Sequence, residues 1–183
     1  MPNSYAVRIA TLVSLALSVV LAAGCNSKTA PTPENYTQAL NAYLLDHSDC
    51  LLPEAPRFPF ETTDSATMKQ MDSLVNAHLL DRTVENSIHV SRYTVTTTGA
   101  RFAPRFCYGH REVTSIGGFT PIAVNDGFKE TTVTYSYTMK EIPVWALSHD
   151  IQAAFPDMAR ATTGQVTAQA TLAQTPVGWQ IPD

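Results

Sequence analysis

Residues 131–139 read Thr131-Thr-Val-Thr-Tyr-Ser-Tyr-Thr-Met139. Val133, Tyr135, Tyr137 and Met139 alternate with threonine and serine, which is the two-residue period of a β-strand. One face of such a strand is buried and the other is wet, as in an antiparallel sheet. The stretch therefore predicts a long strand in a sheet of this kind.

The rest of the C-terminal half supplies neighbours for this strand. The further strand candidates are residues 111–116, 165–173 and 178–181. Asn125-Asp126-Gly127 is a strong turn signal. Pro143 leads into a short helix, with Ser148 as its cap and Pro156 near its end. Residues 111–183 are therefore expected to form an antiparallel sheet that carries one short helix.

Two helices are expected in the N-terminal half. Thr32-Pro33 places a capping residue before a proline at the first helical position, and it predicts a helix over residues 33–47. A second helix, capped by Asp64 or Ser65, is expected to run to about Leu80, because its apolar residues recur at the helical period.

The segments around the second helix are expected to be extended. Three prolines before it exclude a regular ladder and predict a strap; they are Pro53, Pro56 and Pro59. Phe58 and Phe60 are expected to dock from this strap into the core. Residues 88–98 alternate in a threonine-rich run and predict a strand that Gly99 ends.

The charge of the chain argues against a nucleic-acid partner. Lys and Arg number 12 and Asp and Glu number 16, so the net charge is −4. Residues 34–81 are rich in acids, whereas residues 82–111 contain five arginines and only Glu85 as an acid. The arginines either face an anionic partner, such as lipid headgroups or a phosphate-bearing glycan, or pair with nearby acids on a solvated face.

The beginning of the chain has the order of a secretory signal. Arg8 precedes an uncharged run over residues 9–20, and small residues follow it. The run is shorter than the roughly 20 residues that a membrane-spanning helix needs. Residues 20–25, Val20-Leu-Ala-Ala-Gly-Cys25, end this pattern.

The Ala-Gly-Cys ending resembles the lipobox of bacterial lipoproteins, in which the signal peptide is cleaved just before the cysteine. The resemblance implies that residues 1–24 are removed, that Cys25 carries a diacylglyceryl group and an N-acyl chain, and that residues 25–33 are a lipidated tether. Asn26 stands where an Asp retains family members at the inner membrane, so the outer membrane is favoured. The alternative is a secreted protein cut after Gly24, with Cys25 as a free thiol.

Two cysteines remain once Cys25 is assigned to lipid. An even pair in an oxidising compartment predicts a Cys50–Cys107 disulfide. The alternatives are two free thiols or a reactive nucleophile, and no Cys-x-x-Cys motif is present to support either.

Residues 71–102 contain a local resemblance to part of a winged helix. The helix end Met71-Asp-Ser-Leu-Val-Asn-Ala-His-Leu-Leu80 and the later run Tyr93-Thr-Val-Thr-Thr-Thr-Gly99 match the helix and wing of that family, with His78 in place of its helix-end glycine. The resemblance implies a helix followed by a β-hairpin. Its usual DNA-binding role conflicts with the export signal, since a fold does not carry its function with it.

The expected fold class is α+β, with N-terminal helices and a β-hairpin packed against a C-terminal antiparallel sheet that carries one short helix. Residues 34–183 are expected to form a single domain. Residues 34–110 are its helical, winged-helix-like part, and residues 111–183 are its β-rich part.

The sequence contains no catalytic or metal-ligand motif. The five histidines show none of the spacings of zinc sites, and Asp46-His47-Ser48-Asp49 is too local to form a triad whose members converge from different elements. No cofactor is expected. The candidate contacts for a ligand or partner are Arg101, Arg105, Tyr108, His110, Arg111, Trp145 and Trp179.

These observations favour a non-enzymatic binding or adaptor lipoprotein of the bacterial cell envelope. It would be held to a membrane through Cys25, face the periplasm, and bind an envelope protein or a small ligand. One alternative is a structural or stress-related accessory lipoprotein without a pocket, and another is an envelope enzyme of unrecognised type.

Overall fold

The predicted strand lies at the centre of the larger of two sheets in the computed structural model, which describes residues 28–182. The strands are β1 (Phe60–Thr62), β2 (Leu80–Glu85), β3 (Val90–Val95), β4 (His110–Phe119), β5 (Ala123–Asn125), β6 (Phe128–Lys140), β7 (Val166–Thr175) and β8 (Gly178–Gln180). The helices are α1 (Pro33–Asp46), α2 (Ser65–Asn76), α3 (His149–Ala154) and α4 (Pro156–Thr162). The signal-like residues 1–24, Cys25 and Asn26 lie outside the described residues.

Helices and two antiparallel sheets confirm the expected α+β class. The larger sheet has the order β4-β6-β7-β8, and β5 pairs with β6 beyond the end of β4. Val133 and Tyr135 of β6 are buried, while Thr132 and Thr134 point to the other face. The alternation in the sequence therefore predicts both the strand and its buried face correctly.

Helix α1 packs across the buried face of the larger sheet and contacts both β4 and β8. Tyr36, Leu40 and Leu44 recur at the helical period and are buried beneath it. Asn41 Oδ1 accepts a hydrogen bond of 2.9 Å from the backbone N–H of Val113 in β4. The helix thus connects the two edges of the sheet, and its observed bounds agree with the predicted ones.

The smaller sheet has the order β1-β3-β2 and stands beside α2. Helix α2 followed by the β2–β3 hairpin has the helix-plus-hairpin shape expected for residues 71–102. The predicted strand over residues 88–98 is shorter in the structure. Its partner β1 lies at the end of the proline strap, and Phe60 pairs with Tyr93.

The second helix ends four residues earlier than the prediction of about Leu80. His78 has φ 58°, the left-handed conformation that terminates helices. Its N–H bonds to Val75 O at 2.8 Å, and the N–H of Leu79 bonds to Leu74 O at 2.9 Å, which is the Schellman pattern. The chain therefore turns at the position where the winged-helix pattern has glycine, and β2 begins at Leu80.

Two short helices stand where one was expected. Pro156 has no N–H to continue α3, and it forces the preceding Phe155 out of the helical region, to φ −128° and ψ 75°. Pro156 then becomes the first residue of α4.

The Cys50–Cys107 disulfide is present, which confirms that prediction. It joins the segment after α1 to the segment that enters β4. The backbone is paired on both sides of it: Asp49 N–H donates to Gly109 O at 2.8 Å, and Leu51 N–H donates to Phe106 O at 3.2 Å. The N-terminal part of the chain is thereby fixed to the start of the large sheet.

Gly99 is the point where the hairpin returns to α2. A Cβ added there would lie 1.9 Å from the backbone oxygen of Leu79, so only glycine fits. Thr96 Oγ1 donates to that same oxygen at 3.1 Å and accepts from Gly99 N–H at 2.9 Å. The Thr-x-x-Gly run thus has a structural role at the base of the hairpin.

We predict that His78→Gly stabilises the protein by about 1 kcal/mol, because it relieves the left-handed strain of a side chain that is exposed and loses no packing. Urea unfolding measures the change. His78→Ala is the matched control, since alanine keeps the strain and should give no gain. Equal stabilisation by both variants would contradict the strain explanation.

Candidate functional site: a groove between the first helix and the last strand

A groove of about 420 Å³ lies between α1 and β8. We call it the α1–β8 groove. It is lined by Lys28, by Asn35, Gln38, Ala39, Ala42 and Tyr43 of the helix, and by Val177, Gly178, Trp179, Gln180 and Ile181 of the last strand and its flanks. Its volume falls within the range of small-ligand and peptide sites, roughly 300–1,000 Å³.

The groove exists because α1 presents small side chains toward the last strand. Tyr36, Leu40 and Leu44 fill the space over the sheet, whereas Ala39 and Ala42 occupy the neighbouring face of the helix. Their methyl groups leave room that larger side chains would fill.

One wall of the groove contains Tyr43, which is held by His47 from outside the lining. The ring of Tyr43 stacks on that of His47, with centroids 3.7 Å apart and planes 8° apart. His47 Nδ1 also lies 2.7 Å from the backbone oxygen of Tyr43. The ring of Tyr43 is thereby fixed at the rim.

The floor of the groove is Trp179, which is 4% exposed. Its indole Nε1 donates to the backbone oxygens of Thr29 and Ala30 at 3.2 and 3.1 Å. Gln174 Nε2 donates to Thr29 O at 2.8 Å. The chain from Thr29 onward is therefore bound to the body of the protein, so within the predicted tether over residues 25–33 the part from Thr29 is already fixed.

The groove offers shape and hydrogen bonds rather than converging charge. Among its described lining residues only Lys28 and Tyr43 carry ionisable side chains, and Gln38 and Gln180 add amide groups. Strand β8 is the last in the sheet order, so no strand of residues 28–182 pairs with its outer edge. Such an edge beside a groove suits an extended peptide.

A second groove, of about 460 Å³, lies between α2 and α3 and is more charged. Asp72 accepts from Arg82 at 2.8 Å and from the hydroxyl of Tyr93 at 2.9 Å. Asn76 Nδ2 donates to Asp150 Oδ2 at 3.0 Å. The polar side chains of this second groove therefore bond to one another and hold α2, α3 and the hairpin together. The α1–β8 groove is the stronger binding candidate.

Three of the predicted site residues meet beside the disulfide. Arg111 makes a two-pronged contact with Asp49, at 2.9 and 2.7 Å, and its guanidinium lies 4.9 Å from the ring centre of Tyr137. The hydrogen bonds that Arg111 donates to the Asp49 carboxylate raise the pKa of Arg111 well above its usual value. Tyr108 is buried nearby, and His110 Nδ1 lies 3.7 Å from Glu141.

The remaining candidates are dispersed. Arg101 and Arg105 are exposed, and neither forms an ion pair within the described part of the chain. Trp145 packs against Phe102, with ring centroids 5.6 Å apart, beyond the C-terminal end of β6. Trp179 packs against Tyr36 near the opposite end of that strand, so the two tryptophans share no platform.

Three of the five arginines in residues 82–111 form ion pairs with nearby acids, which is one of the two expectations for this segment. Arg82 contacts Asp72, Arg92 contacts Glu61 at 2.7 Å, and Arg111 contacts Asp49. Each acid comes from residues 34–81.

The sequence did not single out the helical wall of the groove. Ala39 and Ala42 look like ordinary helix formers, and Gln38 lies outside the apolar stripe that the sequence predicts for this helix. Tyr43 belongs to that stripe, with Tyr36, Leu40 and Leu44, and packing is the role that the stripe predicts. The only usable signal is the run of small residues beside that stripe.

Within residues 28–182, no group of three His, Cys, Asp or Glu side chains could hold a metal ion. No helix in the same range has the length and apolar character to cross a bilayer. Comparison of the chain with protein-family models, with curated proteins and with solved structures finds no match.

We predict that the protein loses stability as the pH rises from about 10 to about 12. Burial, and then the Asp49 carboxylate, raise the pKa of Tyr108 from 10.0 to about 12, and burial likewise raises that of Tyr93 to about 12. The folded state retains these protons while the unfolded chain releases them from pH 10 upward, so the stabilisation is complete below pH 10 and is lost above it.

Tyr108→Phe removes one such group and should flatten the fall by on the order of 2 kcal/mol across this interval. Urea unfolding at pH 8, 10 and 12 measures it, with pH 8 as the reference at which the phenol is neutral in both states. An unchanged slope in Tyr108→Phe would contradict the assignment.

Proposed function

We propose that this protein is a lipid-anchored lipoprotein of the bacterial cell envelope and that it acts as a non-enzymatic binding module. Its α1–β8 groove binds an extended segment of an envelope partner next to the membrane. The observation that carries the proposal is the position of the groove directly beside Lys28, the first residue that the structure describes.

The anchor and the groove are connected by very little chain. Cys25 precedes Lys28 by three residues, so its Cα lies within about 11 Å of Lys28 even when the chain is fully extended. Two or more acyl chains hold a protein on a membrane stably. A lipid on Cys25 would therefore keep the groove close to the membrane surface.

The chemistry of the groove supports binding rather than catalysis. An active site needs converging titratable groups of suitable pKa, whereas the described lining residues contribute one lysine and one tyrosine among amides and small side chains. The outer edge of β8, which no strand of residues 28–182 covers, can donate and accept backbone hydrogen bonds, and the Tyr43 ring can contact the side chains of a bound segment.

A second candidate function is an accessory lipoprotein that acts through surface contact alone. The turn of the β2–β3 hairpin favours it, because Val84 and Ile88 are 50% and 63% exposed there. The two candidates place the partner at different positions on the molecule.

We predict that Cys25→Ser moves the protein from the membrane fraction to the soluble fraction or blocks its processing, because the lipid-bearing thiol is removed. Fractionation with immunoblotting measures this, and density-gradient separation of the two membranes tests the outer-membrane assignment. Ser27→Ala is the control and should leave attachment unchanged. Membrane attachment of Cys25→Ser at the original level would refute the lipid anchor.

We predict that a photoreactive phenylalanine analogue in place of Gln38 forms a discrete crosslinked adduct in cells, because Gln38 is exposed at the rim of the groove. Ala42→Phe should abolish the adduct by filling the groove. Ala153→Phe, an equally exposed alanine in the α2–α3 groove, is the matched control and should preserve it. An adduct from the same analogue at Ile88 and none at position 38 would favour the accessory function instead.

A further inference from the structure

Four exposed apolar side chains lie at one end of the large sheet. We call this set the apolar end; it consists of Ile122, Val124, Phe128 and Val177. Val124 and Val177 are 69% and 70% exposed, and Phe128 is 57% exposed. Large side chains that are this open on neighbouring turns mark a contact surface.

The strand register brings these residues together. Asn125 pairs with Phe128 across the Asp126-Gly127 turn, so the β5–β6 hairpin ends there. Ala173 of β7 pairs with Glu130 of β6, and β7 continues to Thr175 in the direction of Phe128. The β7–β8 turn that carries Val177 therefore projects at the same end as the β5–β6 hairpin.

The first described residues lie at this end as well. A Cβ added at Gly178 would lie 3.3 Å from the backbone oxygen of Lys28, and Gly178 is the neighbour of Val177. A lipid on Cys25 would be attached within about 11 Å of Lys28, since three residues of extended chain span no more than that. The proposed anchor would therefore be attached within reach of the apolar end.

The charges around the apolar end are balanced. Lys28 and Lys129 stand against Asp126 and Glu130, and Glu130 accepts a hydrogen bond from Asn125 at 2.9 Å. A surface adapted to anionic headgroups would carry an excess of Lys and Arg. Contact between the apolar end and a membrane would therefore depend on its apolar side chains and not on the charge of the lipid headgroups.

We propose that the apolar end inserts into the boundary between headgroups and acyl chains of the membrane that holds the anchor. This inference rests on the proposed lipidation of Cys25. Side chains on turns can enter this boundary, which amphipathic elements penetrate by roughly 5–10 Å. Four residues are far fewer than the roughly 20–30 that a stable protein interface uses on each side, so a second copy of the chain does not fit the patch.

The insertion fixes how the protein stands on the membrane. Strand β6 has 13 residues and is therefore on the order of 40 Å long, and Val144 and Leu147 lie beyond its far end. Both are exposed, at 87% and 53%. They can therefore serve as controls for the apolar end, because they are exposed apolar side chains that should remain in water.

The test uses nitroxide spin labels on the full, processed chain in phosphatidylcholine vesicles. Val124→Cys places a label in the apolar end, and Val144→Cys places the control label at the far end. Mass spectrometry first establishes that the chain begins at a lipidated Cys25 and carries one label. Collision with a water-soluble nickel complex and with oxygen, which concentrates in lipid, then reports the surroundings of each label.

We expect the label at position 124 to collide with nickel several-fold less, and with oxygen several-fold more, than the label at position 144. Phe128→Asp combined with Val177→Asp should restore nickel access at position 124. Val144→Asp combined with Leu147→Asp should not. All four positions are exposed, so these substitutions leave the core intact.

Other outcomes overturn the inference in distinguishable ways. Equal nickel access at positions 124 and 144, on a chain that stays bound to vesicles, would refute insertion and leave the lipid anchor standing. A label at position 124 shielded from both reagents would show that a protein surface covers the apolar end. A chain without lipid on Cys25 would refute both this inference and the proposed function.

Discussion

The packing of α1 across the buried face of the large sheet is the interaction on which the rest of the structure depends. Tyr36 makes edge-to-face contacts with both Phe119 and Trp179, whose ring centroids each lie 5.1 Å away, and Leu40 is fully buried. Such aromatic pairs contribute about 0.5–1.5 kcal/mol beyond the area they bury. Because one helix touches both β4 and β8, it sets the width of the groove.

The charged side chains also connect distant parts of the chain. Residues 34–81 are rich in acids and residues 82–111 are rich in arginines, and the fold brings the two segments together. Arg111 and Asp49, for example, form an ion pair although they are 62 positions apart in the sequence. The exposed Arg92–Glu61 pair contributes at most about 1 kcal/mol. The Arg111 pair is more shielded and is stacked on Tyr137, so its main effect is to fix the entry of β4 next to the disulfide. Arg111, one of the candidate contact residues, therefore has a structural role in the fold.

The elements that the sequence predicts well are those with a local cause. The two-residue alternation of β6 and the Thr32-Pro33 start of α1 need only neighbouring residues, and both predictions are confirmed. Strands β1 and β5 escape prediction, since each has only three residues. Strand β2 has five exposed residues out of six, without alternation, so only the winged-helix resemblance implies it as part of a hairpin. The α1–β8 groove could not be predicted for another reason. The groove depends on a contact between Trp179 and Thr29, which are 150 positions apart, and on the space left by two alanines. A local sequence pattern reports neither of these.

The hydrogen bonds from Trp179 and Gln174 to Thr29 have a consequence for how an anchored protein would behave. A long flexible tether lets a domain sample many orientations and distances above a membrane. With a lipid on Cys25, as proposed, only residues 26–28 would separate the anchor from the fixed segment. So short a connection would restrict rotation, and a partner of the α1–β8 groove would then have to approach along the membrane surface. A segment of a membrane-bound or membrane-adjacent protein would meet that condition. A freely diffusing small molecule could reach the groove without a membrane anchor, so the anchor gives it no advantage.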